Sequence, residues 1–275
     1  MAQVTMAEIT HLRKMTGAGM MDCKNALTEA EGDFDKAVEI IRKKGQAVAA
    51  KRSDRDAAEG CVLAKSEGEF AAVIALKCET DFVAKNADFV GLTQEILDLA
   101  IANQAADLAA VNALPLGKGT ASDAVVDRSG ITGEKMELDG YSFVKGATTV
   151  AYIHPGNKLA TIVAFNQAGI DTQVARDVAM QVAAMNPIAI DRDSVPADVL
   201  EKEKAVAAEK AREEGKPENM IEKIAMGRIS KFYKEVCLLE QEFVKDPKLT
   251  IAAYLDGASK GLTVTDFKRF TLNAD

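Results

Sequence analysis

A gapless internal match constrains this chain more than any other feature. The segment CVLAKSEGEFAAVIALKC (residues 61–78) lies over VAYIHPGNKLATIVAFNQ (residues 150–167) without an insertion, and Glu67-Gly68 falls on Gly156-Asn157. In each copy two runs rich in Val, Ile, Leu and Ala flank a short turn, the pattern of a β-hairpin. A helical period follows each one. Over residues 87–103 it places Phe89, Leu92, Ile96, Leu99 and Ala100 on one face; over residues 172–185 it places Val174, Val178 and Val182 together. The spacing predicts a core of two similar hairpin-plus-helix halves. Residues 135–143 and 267–272 predict further strands, and 112–127 (NALPLGKGTASDAVVD) combines turn formers with another helix.

The first fifty residues read as three short helices. Thr5 and Glu8 have capping-box spacing, with Ile9 and Leu12 starting an apolar face. Thr16-Gly17-Ala18-Gly19 interrupts that helix, a second covers residues 20–30, and Asp33 is placed to cap a third. There Phe34, Ala37, Val38 and Ile41 form a stripe, and Gly45 after Arg42-Lys43-Lys44 is a helix-stop signal. A linker over 46–59 carries Lys51, Arg52 and Arg55. Toward the other end, Pro196 leads into VLEKEKAVAAEKAREE, Gly215-Lys216-Pro217 breaks the helix, and a second helix runs over 217–235. Two helical patterns around a Gly/Pro break predict an antiparallel helical hairpin. Its nine basic and nine acidic residues make it neutral and well solvated, suited to a protruding arm. The chain then returns through Phe243-Val244 and a short helix at 250–255.

Composition narrows the function. At 275 residues, 48% apolar and 28% charged, the chain has the makeup of a soluble protein of two or more domains. With 5% aromatics and no Trp, its cores rest on Ala, Val, Ile and Leu. A net charge of −8 argues against general nucleic-acid binding, where phosphate contacts dominate. No apolar run is long enough to span a bilayer. Cys23, Cys61, Cys78 and Cys237 are scattered, and MAQVTMAEIT lacks the features of a signal peptide, so a reducing, cytoplasmic setting is expected. Catalytic motifs are weak. Gly257-Ala258-Ser259-Lys260-Gly261 matches G-x-S-x-G, but a helical pattern precedes it and the two histidines, His11 and His154, both lie upstream. Gly117-Lys118-Gly119-Thr120 lacks the first glycine of a phosphate loop and the Ser/Thr after the lysine. No spacing suits a zinc site. The chain reads as a non-enzyme without metal or cofactor.

Two stretches are specific. Residues 12–24, LRKMTGAGMMDCK, closely resemble the N-terminal signature of the bacterial elongation factor Ts family, and residues 77–86, KCETDFVAKN, resemble its second signature around T-D-F-V. Gly227-Arg228 and residues 239–246, LEQEFVKD, also fit, so the resemblance covers nearly the whole chain. It implies an α+β fold with an N-terminal three-helix bundle like a ubiquitin-associated domain, a duplicated hairpin-plus-helix core and an inserted antiparallel helical hairpin. The implied divisions are 1–52, 57–145 and 146–275, the last interrupted by 195–235. The implied function is guanine nucleotide exchange on the translational GTPase elongation factor Tu, with no nucleotide held by the factor itself.

The resemblance also distributes roles. Asp81 and Phe82 are the main exchange residues, flanked by Thr80 and Val83; the phenylalanine wedges between helices of the GTPase, and the carboxylate sits near elements supporting its magnesium site. From the residues alone, capping is the better reading of Thr80 or Asp81, and Phe82 suits a core position under the helix that follows; the resemblance reverses that preference. Arg13, Met20, Met21 and Lys24 resemble the surface by which the three-helix domain grips the GTPase, although the methionines equally suit core packing and the two basic residues a solvated basic face. Arg52 matches a basic family position conservatively. His154 matches a histidine of the family's core domain, and Gly133 and Val244 are further contacts, Val244 equally suiting a buried site. Many bacterial members continue into another helical module after the last core strand, whereas this sequence stops at RFTLNAD. A homodimer through the core or the helical hairpin is an assembly the resemblance allows. The rival readings are an adaptor for a different protein, a hydrolase using Ser259, and a translation-linked RNA binder.

Overall fold

The computed structural model describes residues 4–273. The chain divides into two compact units, one formed by residues up to Leu63, Ile74–Tyr141 and from Leu272, the other by Ala64–Val73 and Ser142–Thr271. Helices and strands are mixed in an α+β arrangement.

Helices α1 (Met6–Thr16), α2 (Met20–Glu29) and α3 (Phe34–Lys51) enclose Ile9, Leu12, Cys23, Ala26, Leu27 and Ala37, with Phe34, Val38 and Ile41 against them. Thr5 and Glu8 form the capping box, and the Asp33 side chain accepts from Lys36 N at 3.1 Å to start α3. Helix α3 does not stop at Gly45 but continues to Lys51, so most of the expected linker's first turns are helical. Strands β1 (Glu59–Glu67) and β2 (Phe70–Cys78) follow, then α4 (Asp81–Ala84), α5 (Ala87–Ala102), α6 (Leu108–Ala113), the β3 (Pro115–Leu116) and β4 (Gly119–Thr120) pair, α7 (Ala121–Thr132) and β5 (Met136–Lys145). The sheet order is β1–β2–β5. Helix α5 buries Phe89, Thr93, Ile96, Leu97, Ala100 and Ile101, a face shifted from the sequence pattern, whose Leu92 and Leu99 are only half-buried.

The reason α3 passes through Gly45 lies in α7. Gly45 is buried, and a Cβ built on Gly130 of α7 would fall onto the Gly45 backbone. The two helices approach backbone to backbone at this pair of glycines, so Gly45 serves a helix–helix contact instead of a helix stop.

In the second unit β6 (Thr148–Ile153) pairs antiparallel with β7 (Leu159–Phe165), Thr148 opposite Phe165 and Ile153 opposite Ala160. Every residue of β7 is buried. Helix α8 (Thr172–Met185) starts at the cap Asp171 and lays Val178 and Val182 into a core with Val163, Phe165, Leu238, Phe243, Ile251 and Leu255. Helices α9 (Ala197–Glu213) and α10 (Glu218–Val236) turn back at Gly215-Lys216-Pro217 and bury Ala207, Ala211, Ile221 and Ile229. Their tip is pinned by Arg212 to Glu218 at 2.8 Å and Arg228 to Glu214 at 2.7 Å. Strands β8 (Glu242–Phe243) and β9 (Asp246–Thr250), helix α11 (Ile251–Ala258) and β10 (Val264–Thr271) complete the unit; β10 joins the far side of β7, giving the order β10–β7–β6.

A buried polar network fixes the return segment. Asp177 of α8 accepts from Lys245 Nζ at 2.6 Å, Gln173 Nε2 at 2.6 Å and the Tyr254 hydroxyl at 2.9 Å. Gln181 Nε2 donates to Gln241 Oε1, and Gln181 Oε1 accepts from Val244 N at 3.0 Å.

Candidate protein-docking site

Strand β2 carries the chain into the T-D-F-V segment, and each residue on the way is tied down. Cys78 is buried, its Sγ donates to Thr80 O at 3.2 Å, and burial, followed by the nearby Glu134 charge, pushes the thiol up to about 12. Glu79 accepts from Lys135 N at 2.6 Å and from Arg52 Nη1 on both oxygens, at 3.1 and 3.0 Å. The Lys135 bond first, and the Arg52 guanidinium after it, hold the Glu79 carboxyl below its usual range.

Thr80 settles the capping alternatives. It is the N-cap of α4, its Oγ1 accepting from Val83 N at 3.5 Å. Glu134, just past α7, receives both Thr80 donors: the backbone N–H at 3.0 Å and the hydroxyl at 2.6 Å. Gly133 closes α7 at φ +74°, a conformation that favours glycine. Ser129 Oγ then donates to Glu134 O at 2.5 Å. Asp81 accepts from Lys85 Nζ at 2.6 Å, a bond that raises the lysine.

Phe82 emerges from this frame 86% exposed. Phe and other large apolar groups are usually driven inward, so the open core alternative for Phe82 is answered: it is a surface residue. Val83 is half-buried and Ala84 buried, anchoring the inner side of the same turn.

The other residues singled out by sequence fall into three groups. Arg52 and Gly133 join the T-D-F-V turn, Arg52 through Glu79 and Gly133 through its neighbour Glu134. In the same unit, Met20 and Met21 are 37% and 65% exposed around the α1–α2 junction, with Arg13 and Lys24 also exposed, so the methionines are not core residues. His154 and Val244 belong to the second unit. His154 sits exposed at the β6–β7 turn with Nδ1 3.0 Å from the Tyr152 hydroxyl, and Val244 is 45% exposed. Glu79 and Glu134 went unassigned in the sequence reading. Glu79 stands inside the quoted motif, but nothing local distinguishes Glu134, whose partner Thr80 lies far away in the chain.

The weak catalytic motifs have structural uses. Lys118 Nζ lies 3.4 Å from Asp35 Oδ1, and Thr120 caps α7 through Asp123 N. Ser259 Oγ donates to Gln167 Oε1 at 2.6 Å. A cleft of about 1200 Å³ in the first unit, lined by residues including Lys14, Arg42, Leu92 and Asp127, does not include Thr80–Val83. Among the described residues, no group of three His, Cys, Asp or Glu side chains is placed to hold a metal ion. No described helix is long and apolar enough to cross a membrane.

The turn thus holds an exposed aromatic on a short, heavily anchored helix. The chain belongs to the elongation factor Ts family, whose model matches residues 79–274. It is 61% identical over 273 residues to the elongation factor Ts of Porphyromonas gingivalis, covering 99% of each chain. It is 56% identical, over an alignment of 329 positions and 99% of each chain, to that of Bacteroides thetaiotaomicron, and 54% identical over 272 residues to that of Azobacteroides pseudotrichonymphae, again 99% of each. The chain is accordingly a translation elongation factor.

Proposed function

We propose that this protein binds elongation factor Tu carrying GDP and speeds GDP release by presenting Phe82 as a wedge and Asp81 beside it. The observation that carries the proposal is the 86% exposure of Phe82 on a turn held by Glu134, Glu79 and Arg52. Bound GDP is retained by backbone donors at its phosphates and by Mg²⁺. A factor that binds better to a GTPase with those sites distorted promotes release without touching the nucleotide. A ten-thousandfold acceleration requires about 5.5 kcal/mol of barrier reduction, within the range of a buried aromatic anchor and its supporting contacts. Reciprocity then requires nucleotide to weaken binding of the factor by the same coupling energy.

On this reading Arg13, Met20, Met21 and Lys24 form a second contact through the three-helix domain over 1–52, the exposed methionines supplying an adaptable apolar surface. Thr80, Val83, Gly133 and Arg52 support the wedge more than they touch the partner. His154 and Val244 supply contacts from the 146–275 half. The two sheets, ordered β1–β2–β5 and β10–β7–β6 with a hairpin first in each, support a duplicated core, and the first three helices a ubiquitin-associated-like domain. The site of action is the cytoplasm, where translation occurs.

The test is stopped-flow release of fluorescent GDP from the cognate elongation factor Tu. Wild-type protein accelerates release, and Phe82→Ala, whose stability stays within about 0.5 kcal/mol because the side chain is exposed, loses most of the acceleration. No acceleration by folded wild-type protein refutes the exchange function. Full acceleration by Phe82→Ala refutes the wedge.

A further inference from the structure

We infer that Glu134 is a positioning residue for the wedge: its carboxylate, far from the T-D-F-V motif in sequence, holds Phe82 ready to dock. The inference rests on the exchange reading above. A helix of four residues is too short to persist by its own hydrogen bonds, so α4 must be stabilised from outside. Glu134 does this at the cap. Its two oxygens take the Thr80 N–H at 3.0 Å and the Thr80 hydroxyl proton at 2.6 Å.

The second bond has a directional consequence. With its proton committed to Glu134, the Thr80 hydroxyl has lone pairs left for the Val83 N–H, 3.5 Å away. The same carboxylate therefore secures Thr80, two residues before Phe82, and orients the cap that accepts from Val83, the residue after it. Glu134 is fixed in turn by the Gly133 turn, by Ser129 Oγ on its carbonyl and by Thr132 Oγ1, which accepts from its N–H at 3.3 Å. Lys135, the next residue, donates its N–H to Glu79. The segment 133–135 thus grips both residues that lead into the wedge.

A positioning role separates from a wedging role in the kinetics. If Glu134 sets the fraction of molecules with Phe82 ready, its loss raises the concentration needed for half-maximal acceleration by the inverse of that fraction. The rate at saturation stays as it was. Phe82→Ala instead lowers the saturated rate.

The experiment uses the full chain with Glu134→Ala and, keeping the side chain's size, Glu134→Gln. Two quantities are read: backbone amide order parameters for residues 81–85, and GDP release from elongation factor Tu across factor concentrations. Wild type is expected to show order parameters of about 0.85, falling below about 0.6 in Glu134→Ala. The half-saturating concentration is expected to rise about tenfold, the lower end for charge-assisted hydrogen bonds, with the saturated rate unchanged and Glu134→Gln intermediate. Unchanged order parameters in both variants overturn the inference, as does a fall in saturated rate with half-saturation unmoved. If wild type fails to accelerate release, the exchange reading falls alone, and the order parameters still decide what Glu134 does.

Discussion

The contact between Gly45 and Gly130 gives a prediction in which two similar substitutions have different outcomes. Replacing Gly130 by Ala places a methyl group onto the Cα, carbonyl carbon and carbonyl oxygen of Gly45. Backbone atoms cannot rotate aside, so the helices must separate, at an overpacking cost toward the upper part of the usual range of about 1–3 kcal/mol. Alanine returns about 1 kcal/mol of helix propensity, leaving a net loss of about 1–2 kcal/mol. The reverse substitution, Gly45→Ala, puts its methyl group 3.3 Å from Gly130 Cα and 3.8 Å from Asp127 O. A shift of a few tenths of an ångström accommodates it, and the propensity gain leaves the change within about 0.5 kcal/mol of zero.

Thermal unfolding followed by circular dichroism reads this as a Tm lowered by about 2–8 °C for Gly130→Ala and nearly unchanged for Gly45→Ala, at about 2–4 °C per kcal/mol for a chain of this size. On the exchange reading, because α7 ends at the Gly133-Glu134 turn, Gly130→Ala should also loosen the wedge and raise the factor concentration needed for exchange. A Gly130→Ala protein as stable as wild type would refute the reasoning. It would mean that α3 and α7 slide apart without cost and that Gly45 has no packing role.

Two further predictions concern charged pairs. Burial alone would raise the Asp177 carboxyl, but the bonds from Lys245, Gln173 and Tyr254 outweigh it and hold the group below its ordinary value. A depressed folded-state pKa contributes stability above the unfolded value of about 3.9 and loses it as pH falls through the folded one. Asp177→Asn should therefore cost about 1–3 kcal/mol near pH 7 and progressively less below about pH 4; urea titrations across pH check this, and a pH-independent difference contradicts it. Arg52 and Glu79 should couple by about 0.5–1 kcal/mol, discounted because the Arg52 side chain is partly exposed. A double-mutant cycle of Arg52→Ala and Glu79→Ala in urea denaturation measures this, and strict additivity denies the pair a stabilising role.

Local chemistry was legible in the sequence, and long-range geometry was not. The capping box at Thr5, the cap at Asp33, both β-hairpins and helix 172–185 follow from short-range rules, and the structure has them. Gly45 was misread for a physical reason: a glycine after three basic residues is a good stop signal, and only the distant Gly130 reveals that it serves close approach. The same separation hid Glu134. Phe82 lay between these cases. The capping of α4 by Thr80 is a local fact, whereas the exposure of the next aromatic depends on what the rest of the fold leaves uncovered, so the residues alone left core and surface readings open. Met20 and Met21 were ambiguous for the same reason, since helical spacing does not say which face the three-helix unit leaves uncovered.

The anchoring of the turn decides how much Phe82 can do. Burying a phenylalanine in a partner is worth about 1.5–3 kcal/mol. Fixing a residue's backbone costs about 1–2 kcal/mol, so ordering even Thr80 to Ala84 at the moment of docking would consume more than the ring returns. Those backbones are instead ordered beforehand, by two Thr80 bonds to Glu134, by Arg52 and Lys135 on Glu79, and by the burial of Cys78 and Ala84. The ordering cost is met in folding the first unit and is absent from the docking equilibrium. On the exchange reading, most of what makes T-D-F-V an effective motif therefore lies outside it, in a glutamate after α7 and an arginine at the end of α3. Transplanting the four residues onto an unanchored loop would keep the aromatic ring and lose the exchange activity.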